Sequence, residues 1–390
     1  MTDVMVVAGA RTAIGDYGGA FKDVPPTKLG AIAIREALAR AKAEPASVGH
    51  VVMGSVIHGE ARDMYLSRVA AVDAGIPVST PALTVNRLCG SGLQAIVSAA
   101  QHIMLGDCHI AVAGGAESMS RAAYMLPSGR WGQRMGDAPV IDAMTAALHD
   151  PFGHGHMGVT AENIAAKYGF TREQQDQFAV ESHRRATRAL EQGYFREQIV
   201  PVELKTKKGV EQFTTDEHVR RDAKMEDLAK LKAVFKKDGT VTAANASGIN
   251  DAAAAVVLMH AKAAKNQKPI ARLVAYAHAG VDPQLMGLGP IPAVKRVFEK
   301  AGLKPADMDV IESNEAFAVQ AMAVTQDLGL DPAKVNPNGG AVALGHPIGA
   351  TGCILTVKAL YELQRTQKRY ALVTMCIGGG QGIAAIYERV

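Results

Sequence analysis

Three features of the 390-residue chain predict an α/β fold. Short β-branched runs alternate with Ala-rich segments of helical period. The runs are almost wholly apolar, as strands become when helices cover both faces of a sheet. One pattern of helix followed by strand also recurs at a fixed separation along the chain.

The apolar runs are 4–7, 50–53, 109–113, 310–312 and 371–375. Helical patterns cover about 29–43, 92–105, 293–301 and 352–364. This alternation predicts βαβ units and a largely parallel sheet. Within it, Ala41-Lys-Ala-Glu-Pro45-Ala46 matches Ala301-Gly-Leu-Lys-Pro305-Ala306, at an offset of 260 residues. The same offset sets Gly92 on Gly352 and Ala111 on Ala371. A duplication is therefore expected, with one α/β half at 1–120 and a second at 251–390. Residues 121–250 differ in character. They carry basic patches (Lys205-Thr-Lys-Lys208, Arg220-Arg221, Lys236-Lys237) and a predicted helix over 171–192, as in an inserted segment that binds a ligand or partner.

Hydrophobic residues make up 48% and charged residues 21%, enough apolar material for a sizeable core. A net charge of +4 is far from the dense basic surface of a nucleic-acid binder. The four cysteines, Cys89, Cys108, Cys353 and Cys376, form no CxxC pair, so neither a disulfide framework nor a structural zinc site is indicated. His149-Asp150…His154-Gly-His156 has spacings that suit a metal, but no metal is expected. No basic segment precedes the first apolar strand, and no uninterrupted apolar run of spanning length is apparent. A reduced, cytoplasmic protein is the expectation, without membrane or nucleic-acid partners.

Four segments carry candidate chemistry. Asn86-Arg-Leu-Cys89-Gly-Ser-Gly92 opens an apolar helix, where unpaired N–H groups and the helix dipole favour a thiolate. Gly345-His346-Pro347-Ile-Gly349 occupies the matching turn of the second half, and a neutral imidazole there can take a thiol's proton. Cys376-Ile-Gly378-Gly-Gly380 ends a strand with backbone N–H groups able to face an oxyanion. Asn314-Glu315-Ala316-Phe317 follows another strand, where Asn314 is either a helix cap or a buried polar group in need of partners. The chain has no GxxxxGK[ST] phosphate loop and no complete dinucleotide-binding glycine motif.

In that order and at those separations, the four motifs resemble the thiolase family along essentially the whole chain. So do His156-Met-Gly-Val-Thr-Ala-Glu-Asn163 and Gly239-Thr-Val-Thr-Ala-Ala-Asn-Ala-Ser247-Gly-Ile-Asn-Asp251. The resemblance is to bacterial biosynthetic β-ketothiolases of the acetyl-CoA acetyltransferase type. It implies a five-layer α-β-α-β-α fold and a reversible Claisen condensation of acetyl-CoA with an acyl-CoA to a 3-ketoacyl-CoA, in fatty acid or polyhydroxyalkanoate metabolism. Cys89 would carry the acyl group, and His346 would activate it and, with a water held by Asn314, polarise a thioester oxygen. Cys376 would move the α-proton, and the N–H groups of Cys89 and Gly378 would form an oxyanion hole. Leu148, His156, Met157, Phe235, Ala243, Ser247, Ala316 and Phe317 would line the coenzyme A tunnel, with Arg220 near the nucleotide. The resemblance also implies short-chain substrates, no cofactor beyond coenzyme A as a substrate, and a homotetramer contacting through 121–142. Ala116, Ala233 and Ala244 depart from the family's common residues. Two other readings are a ketoacyl-synthase-like condensing enzyme, which typically has His or Asn at the position of Cys376, and a non-catalytic thiolase-like lipid carrier, which would lack a catalytic residue.

Overall fold

The computed structural model describes residues 3–207 and 209–390; Lys208, from one of the basic patches, lies outside them. Its main strands are β1 (Val4–Arg11), β2 (His50–Gly54), β3 (Ala82–Val85), β4 (Ile110–Ser118), β5 (Asn250–His260), β6 (Ala271–Gly280), β7 (Val310–Ser313), β8 (Tyr370–Ile377) and β9 (Gln381–Arg389). They run in the order β7-β8-β9-β6-β1-β5-β4-β2-β3, with the short strand Gly15–Asp16 paired to β5. At the centre, β1 and β6 share only two residue pairs, Met5 with Arg272 and Val6 with Ala271. In effect, two sheets meet edge to edge.

Helices α1 (Pro26–Ala41) and α2 (Leu66–Asp73) cover the outer face of the first sheet, and α6 (Pro290–Ala301) covers that of the second. Helices α3 (Ser91–Leu105) and α8 (Thr351–Thr366) touch each other and strands of both sheets. The expected five layers follow, with one apolar core on each side of each sheet. Leu93, Ile96 and Val357 belong to the central core, Leu29 and Ile34 to the first outer core, and Val294 and Val297 to the second. Leu88–Leu105 is long and apolar enough on average to cross a membrane, although Ser91, Gln94, Ser98, Gln101 and His102 interrupt its apolar run. It is a core helix: Leu93, Ile96, Val97 and Ile103 are buried in the central core, while Gln94, Ser98, Gln101 and His102 lie on its less buried face.

The duplication is visible in the element starts. β2 and β7 begin at 50 and 310, α3 and α8 at 91 and 351, and β4 and β8 at 110 and 370, each pair 260 residues apart. Even the helix ends correspond: α1 and α6 stop at left-handed residues, Lys42 (φ 49°) and Gly302 (φ 66°).

Two expectations need correction. The sheet is mixed rather than largely parallel: only the pairs β2–β3, β2–β4 and β7–β8 are parallel. The last two are the pairs whose connections include a helix of the central layer. The pairs β1–β5, β5–β4, β8–β9 and β6–β9 are antiparallel. The boundary at 250/251 also falls at the start of β5, which lies between β1 and β4 in the first sheet. The chain returns from its insertion to complete the first half before it begins the second. Four consecutive alanines in β5 hide a buried strand behind a helix-like composition.

The insertion contains α4 (Met157–Tyr168) and α5 (Arg172–Glu191), which pack against α7 (Ala318–Asp327) of the second half. A buried ion pair ties it to the first half. Arg11 donates to both carboxylate oxygens of Asp216, at 2.7 and 2.9 Å, and Asp216 also accepts the Ile14 N–H. Neither side chain reaches solvent. Asp216→Ala would leave a guanidinium buried without its partner, so we expect a stability loss of about 3–5 kcal/mol. Equilibrium denaturation checks this, and an unchanged midpoint would show that the pair is dispensable.

Candidate active site

The first turns of α3 and α8 are in backbone contact because both carry a glycine there. A Cβ on Gly92 would lie 2.8 Å from the Cys353 nitrogen, and one on Gly352 would strike the Leu93 nitrogen. These two glycines are a repeat-related pair. Their contact brings the loop ahead of α3, with Cys89, against the loop ahead of α8, with His346. Leu88 takes a left-handed backbone (φ 43°), uncommon for a side chain of its size, and Ser91 Oγ grips the turn by accepting the Arg87 N–H and donating to Leu88 O.

Around these loops lies a cavity of about 540 Å³. Cys89, His346, Cys376 and Gly378 all line it. Leu148, His156, Met157, Arg220, Phe235, Ala243, Ser247, Ala316 and Phe317 are on its wall. His156 stacks on Phe235 at 4.6 Å, and Phe235 meets Phe317 edge-on at 6.2 Å. Ser247 is held beside them by its N–H bond to Ala316 O. Asn314 alone stands off the wall, behind His346, where its Nδ2 lies 3.4 Å from Nε2. Its Oδ1 is buried without a partner among the described residues, so an acceptor is free for a bound water or substrate group.

The electrostatics around Cys89 and His346 are those of a desolvated site. Burial pushes the Cys89 thiol up to about 11, although the N–H groups of Gly378 and of Cys89 itself pull the other way. Desolvation thus outweighs the N–H groups that favour a thiolate at this turn, and the Glu117 carboxyl acts in the same direction as burial. Burial also pushes the Cys376 thiol up, with the neighbouring Cys89 charge adding to it. It lowers His346 to about 4, so the imidazole is neutral at physiological pH. The pair is thiol and neutral base, as general-base activation of a cysteine requires.

The loop of His346 is held from two directions. Asn250 Oδ1 accepts the His346 N–H at 2.9 Å, and the Glu117 carboxylate accepts the N–H groups of Gly349, Val56 and Ile57. Burial raises Glu117 to about 8.

Sequence reasoning missed Asp16, Tyr17, Met119, His218, Met286 and Ile348, which also line the cavity. Asp16 and His218 pair at its mouth, Oδ1 to Nδ1 at 2.5 Å. These residues come from five separate stretches of chain and share no motif. The residues that departed from the family pattern, Ala116, Ala233 and Ala244, do not line the cavity. In the metal-like histidine segment, Asp150 instead caps its own turn by accepting the N–H groups of Phe152 and His154.

A duplicated α/β scaffold with a cysteine ahead of a central helix, a neutral histidine, a second buried cysteine and a mostly apolar cavity fits an acyl-transfer enzyme of the condensing type. Two family models cover the chain: thiolase, N-terminal domain, over residues 4–262, and thiolase, C-terminal domain, over 267–389. The chain belongs to the thiolase family. It is 65% identical to the β-ketothiolase BktB of Cupriavidus necator, over 100% of this chain and 99% of that one. It is 50% identical to the acetyl-CoA acetyltransferase of the same organism, with both chains covered in full. Among solved structures, human mitochondrial 3-ketoacyl-CoA thiolase in complex with CoA superposes with a TM-score of 0.97 at 44% identity, covering 100% of this chain and 98% of that one. The Bacillus anthracis acetyl-CoA acetyltransferase gives 0.98 at 45%, covering 100% and 99%.

The lowered His346 predicts an unusual pH dependence. Acylation by acetyl-CoA should show no acid limb near the ordinary histidine value of about 6.5 and should fall only as pH approaches about 4. Pre-steady-state acylation rates across that range decide it, and a limb near 6.5 would mean a solvated imidazole. Burial also lowers His156, His183 and His278 to about 4. Groups held neutral in the fold take up protons on unfolding, so their contribution to stability is present above about 6.5 and lost between there and about 4. Denaturation midpoints should decline through that window.

Proposed function

We infer that the protein is an acyltransferase of the thiolase type, which joins acetyl-CoA to an acyl-CoA and cleaves the resulting 3-ketoacyl-CoA. The observation that carries this reading is the convergence of Cys89, His346, Cys376 and the Gly378 N–H on the wall of one mostly apolar cavity. All the reactive groups are present, which favours an enzyme over a lipid carrier. Cys376, where ketoacyl synthases typically place His or Asn, favours the thiolase reaction.

In the proposed sequence, the Cys89 S–H proton passes to His346 Nε2 as Sγ attacks the thioester carbonyl. The carbon–sulfur bond to coenzyme A breaks, and the departing thiolate takes that proton. Once coenzyme A has left, the Cys376 S–H proton passes to the freed His346, and the Cys376 thiolate removes a proton from the methyl group of a second acetyl-CoA as the carbanion attacks the acyl carbon. The bond to Cys89 breaks, the Cys89 thiolate takes the proton from His346, and the ketoacyl-CoA leaves. The acylated atom and the α-carbon base act at the same moment, so two residues are required. The Gly378 and Cys89 N–H groups support charge on the thioester oxygen. Coenzyme A is the only cofactor-like molecule the scheme uses, as substrate.

Short acyl chains are the proposed substrates, because Leu88, Met119, Met157 and Ile348 line the cavity along with Cys89. Arg220 at the cavity wall supplies a cation for the nucleotide end. We place the enzyme in the cytoplasm as a homotetramer. The segment 121–142 supports the assembly, with Trp131 85% and Met135 91% exposed, and so does the open edge strand β3 with Leu83 exposed.

Isotope exchange tests the division of labour. The folded Cys89→Ala protein should lose acyl labelling and all turnover. Cys376→Ala should still take up an acetyl group, seen by intact mass, while deuterium wash-in to acetyl-CoA falls by about two orders of magnitude or more. Near-normal exchange in Cys376→Ala with loss of labelling at Cys89 would reverse the two roles. Thiolysis of 3-ketoacyl-CoAs of increasing length should favour acetoacetyl-CoA and its near neighbours, and exclusive use of long chains would overturn the short-chain assignment. For the assembly, Trp131→Glu with Met135→Glu should convert tetramers to dimers in light scattering. A wild-type protein that is monomeric at micromolar concentration would refute the tetramer.

A further inference from the structure

A base at Nε2 of His346 requires the ring proton to be on Nδ1, and the structure contains a side chain able to keep it there. Thr351, the first residue of α8, has its Oγ1 2.7 Å from His346 Nδ1. The same hydroxyl donates to Pro347 O at 2.9 Å, a carbonyl that also takes the Ala350 and Thr351 N–H groups. A hydroxyl has one proton to give. When it goes to Pro347 O, the oxygen facing the ring has only lone pairs to offer, and Nδ1 must carry the hydrogen. On the other side of the ring, the Asn314 amide presents Nδ2 to Nε2, which suits an unprotonated nitrogen. Thr351 is 2% exposed and β-branched, so water does not compete for the hydroxyl and its rotamer is restricted.

We propose that Thr351 is a positioning residue that holds His346 in the Nδ1–H tautomer, leaving Nε2 unprotonated and able to accept the Cys89 proton. The proposal rests on the reading of His346 as the base. The duplication gives it a structural origin. Ser91 occupies the equivalent place at the start of α3, where its hydroxyl donates to Leu88 O and holds the nucleophile's turn. In both halves a hydroxyl on the first helical residue ties back to its own turn, and in the second half it acquires the imidazole as a further partner. Thr351 is neutral, so it directs the proton without stabilising an imidazolium as a carboxylate would. The proton taken from Cys89 is therefore held briefly and passes readily to the leaving coenzyme A.

Neutron diffraction from deuterium-exchanged wild-type crystals near pH 7 tests this without reference to activity. The proposal expects a deuteron on His346 Nδ1, none on Nε2, and the Thr351 deuteron directed at Pro347 O. A deuteron on Nε2, with the Thr351 hydroxyl pointing at Nδ1, overturns it whether or not the enzyme is a thiolase. Kinetics give the second arm. Thr351→Val should lower the acylation rate constant about 100-fold with KM for acetyl-CoA little changed, and Thr351→Ser should recover most of the loss. A folded Thr351→Val protein that acylates at the wild-type rate overturns the proposal. If that variant does not fold, the deuteron positions decide.

Discussion

The site depends on one close contact, that between the first turns of α3 and α8. Two helices of ordinary residues keep their axes 8–10 Å apart. Here Gly92 and Gly352 leave backbone against backbone, with no room for a Cβ on either side. The contact is fixed from outside by sheets on both faces of the helix pair, so it cannot relax without opening the central core. Because reactive turns precede both helices, whatever sets the helix crossing also sets the separation of nucleophile and base. Gly90 extends the constraint: a Cβ there would meet Ile377, next to Cys376, which keeps the second cysteine's strand against the first cysteine's turn.

The same burial that secures this geometry determines the chemistry. In a solvated loop, a cysteine at a helix start is partly ionised and a histidine partly protonated. In this site both shift toward their neutral forms, the thiol upward and the imidazole downward. Charge then appears only when a thioester carbonyl is present to receive it, and the Gly378 N–H already stands by the sulfur. Glu117 works in the same direction. Its three N–H partners bind Gly349, ahead of α8, to the loop at 56–57, and whenever it ionises its charge further disfavours a thiolate at Cys89.

Legibility in the sequence followed the range of the interactions. Elements with local periodicity were found within a few residues: the helices at 91–105 and 351–366, the strands at 50–54 and 310–313, and the repeat that relates them. Cys89, His346 and Cys376 stand in glycine-rich turns with local signatures, and they are where the motifs put them. Pairing was not legible. The partners of β5 are separated from it by the insertion, and the run Asn-Asp-Ala-Ala-Ala-Ala has no strand-like pattern, so both the mixed sheet and the return of the chain to its first half were hidden. Ionisation was not legible either, since the N–H groups at the turn can be read from position but the burial that outweighs them depends on tertiary packing. Tyr17, His218 and Met286 reach the cavity for the same non-local reason.

The duplicated halves supply symmetry in the scaffold and asymmetry in the chemistry. The offset that maps α3 onto α8 puts Cys89 on Gly349, Ser91 on Thr351 and Asn86 on His346. One turn therefore carries the nucleophile where the other carries a glycine, and one carries the imidazole where the other carries an amide. Had both turns kept a cysteine, two thiols would have crowded a contact that already excludes a Cβ at neighbouring positions. With a glycine at 349, the backbone of the second turn can lie against β2 and β4, where Gly54 and Gly115 leave space for its carbonyl. The histidine is thereby seated deeper than the cysteine, with its ring buried and its Nδ1 side closed off by Thr351. Depth explains the division of roles. In the proposed mechanism Cys89 has to meet substrate and keeps some exposure, while His346, although it reaches the same cavity, is more deeply buried.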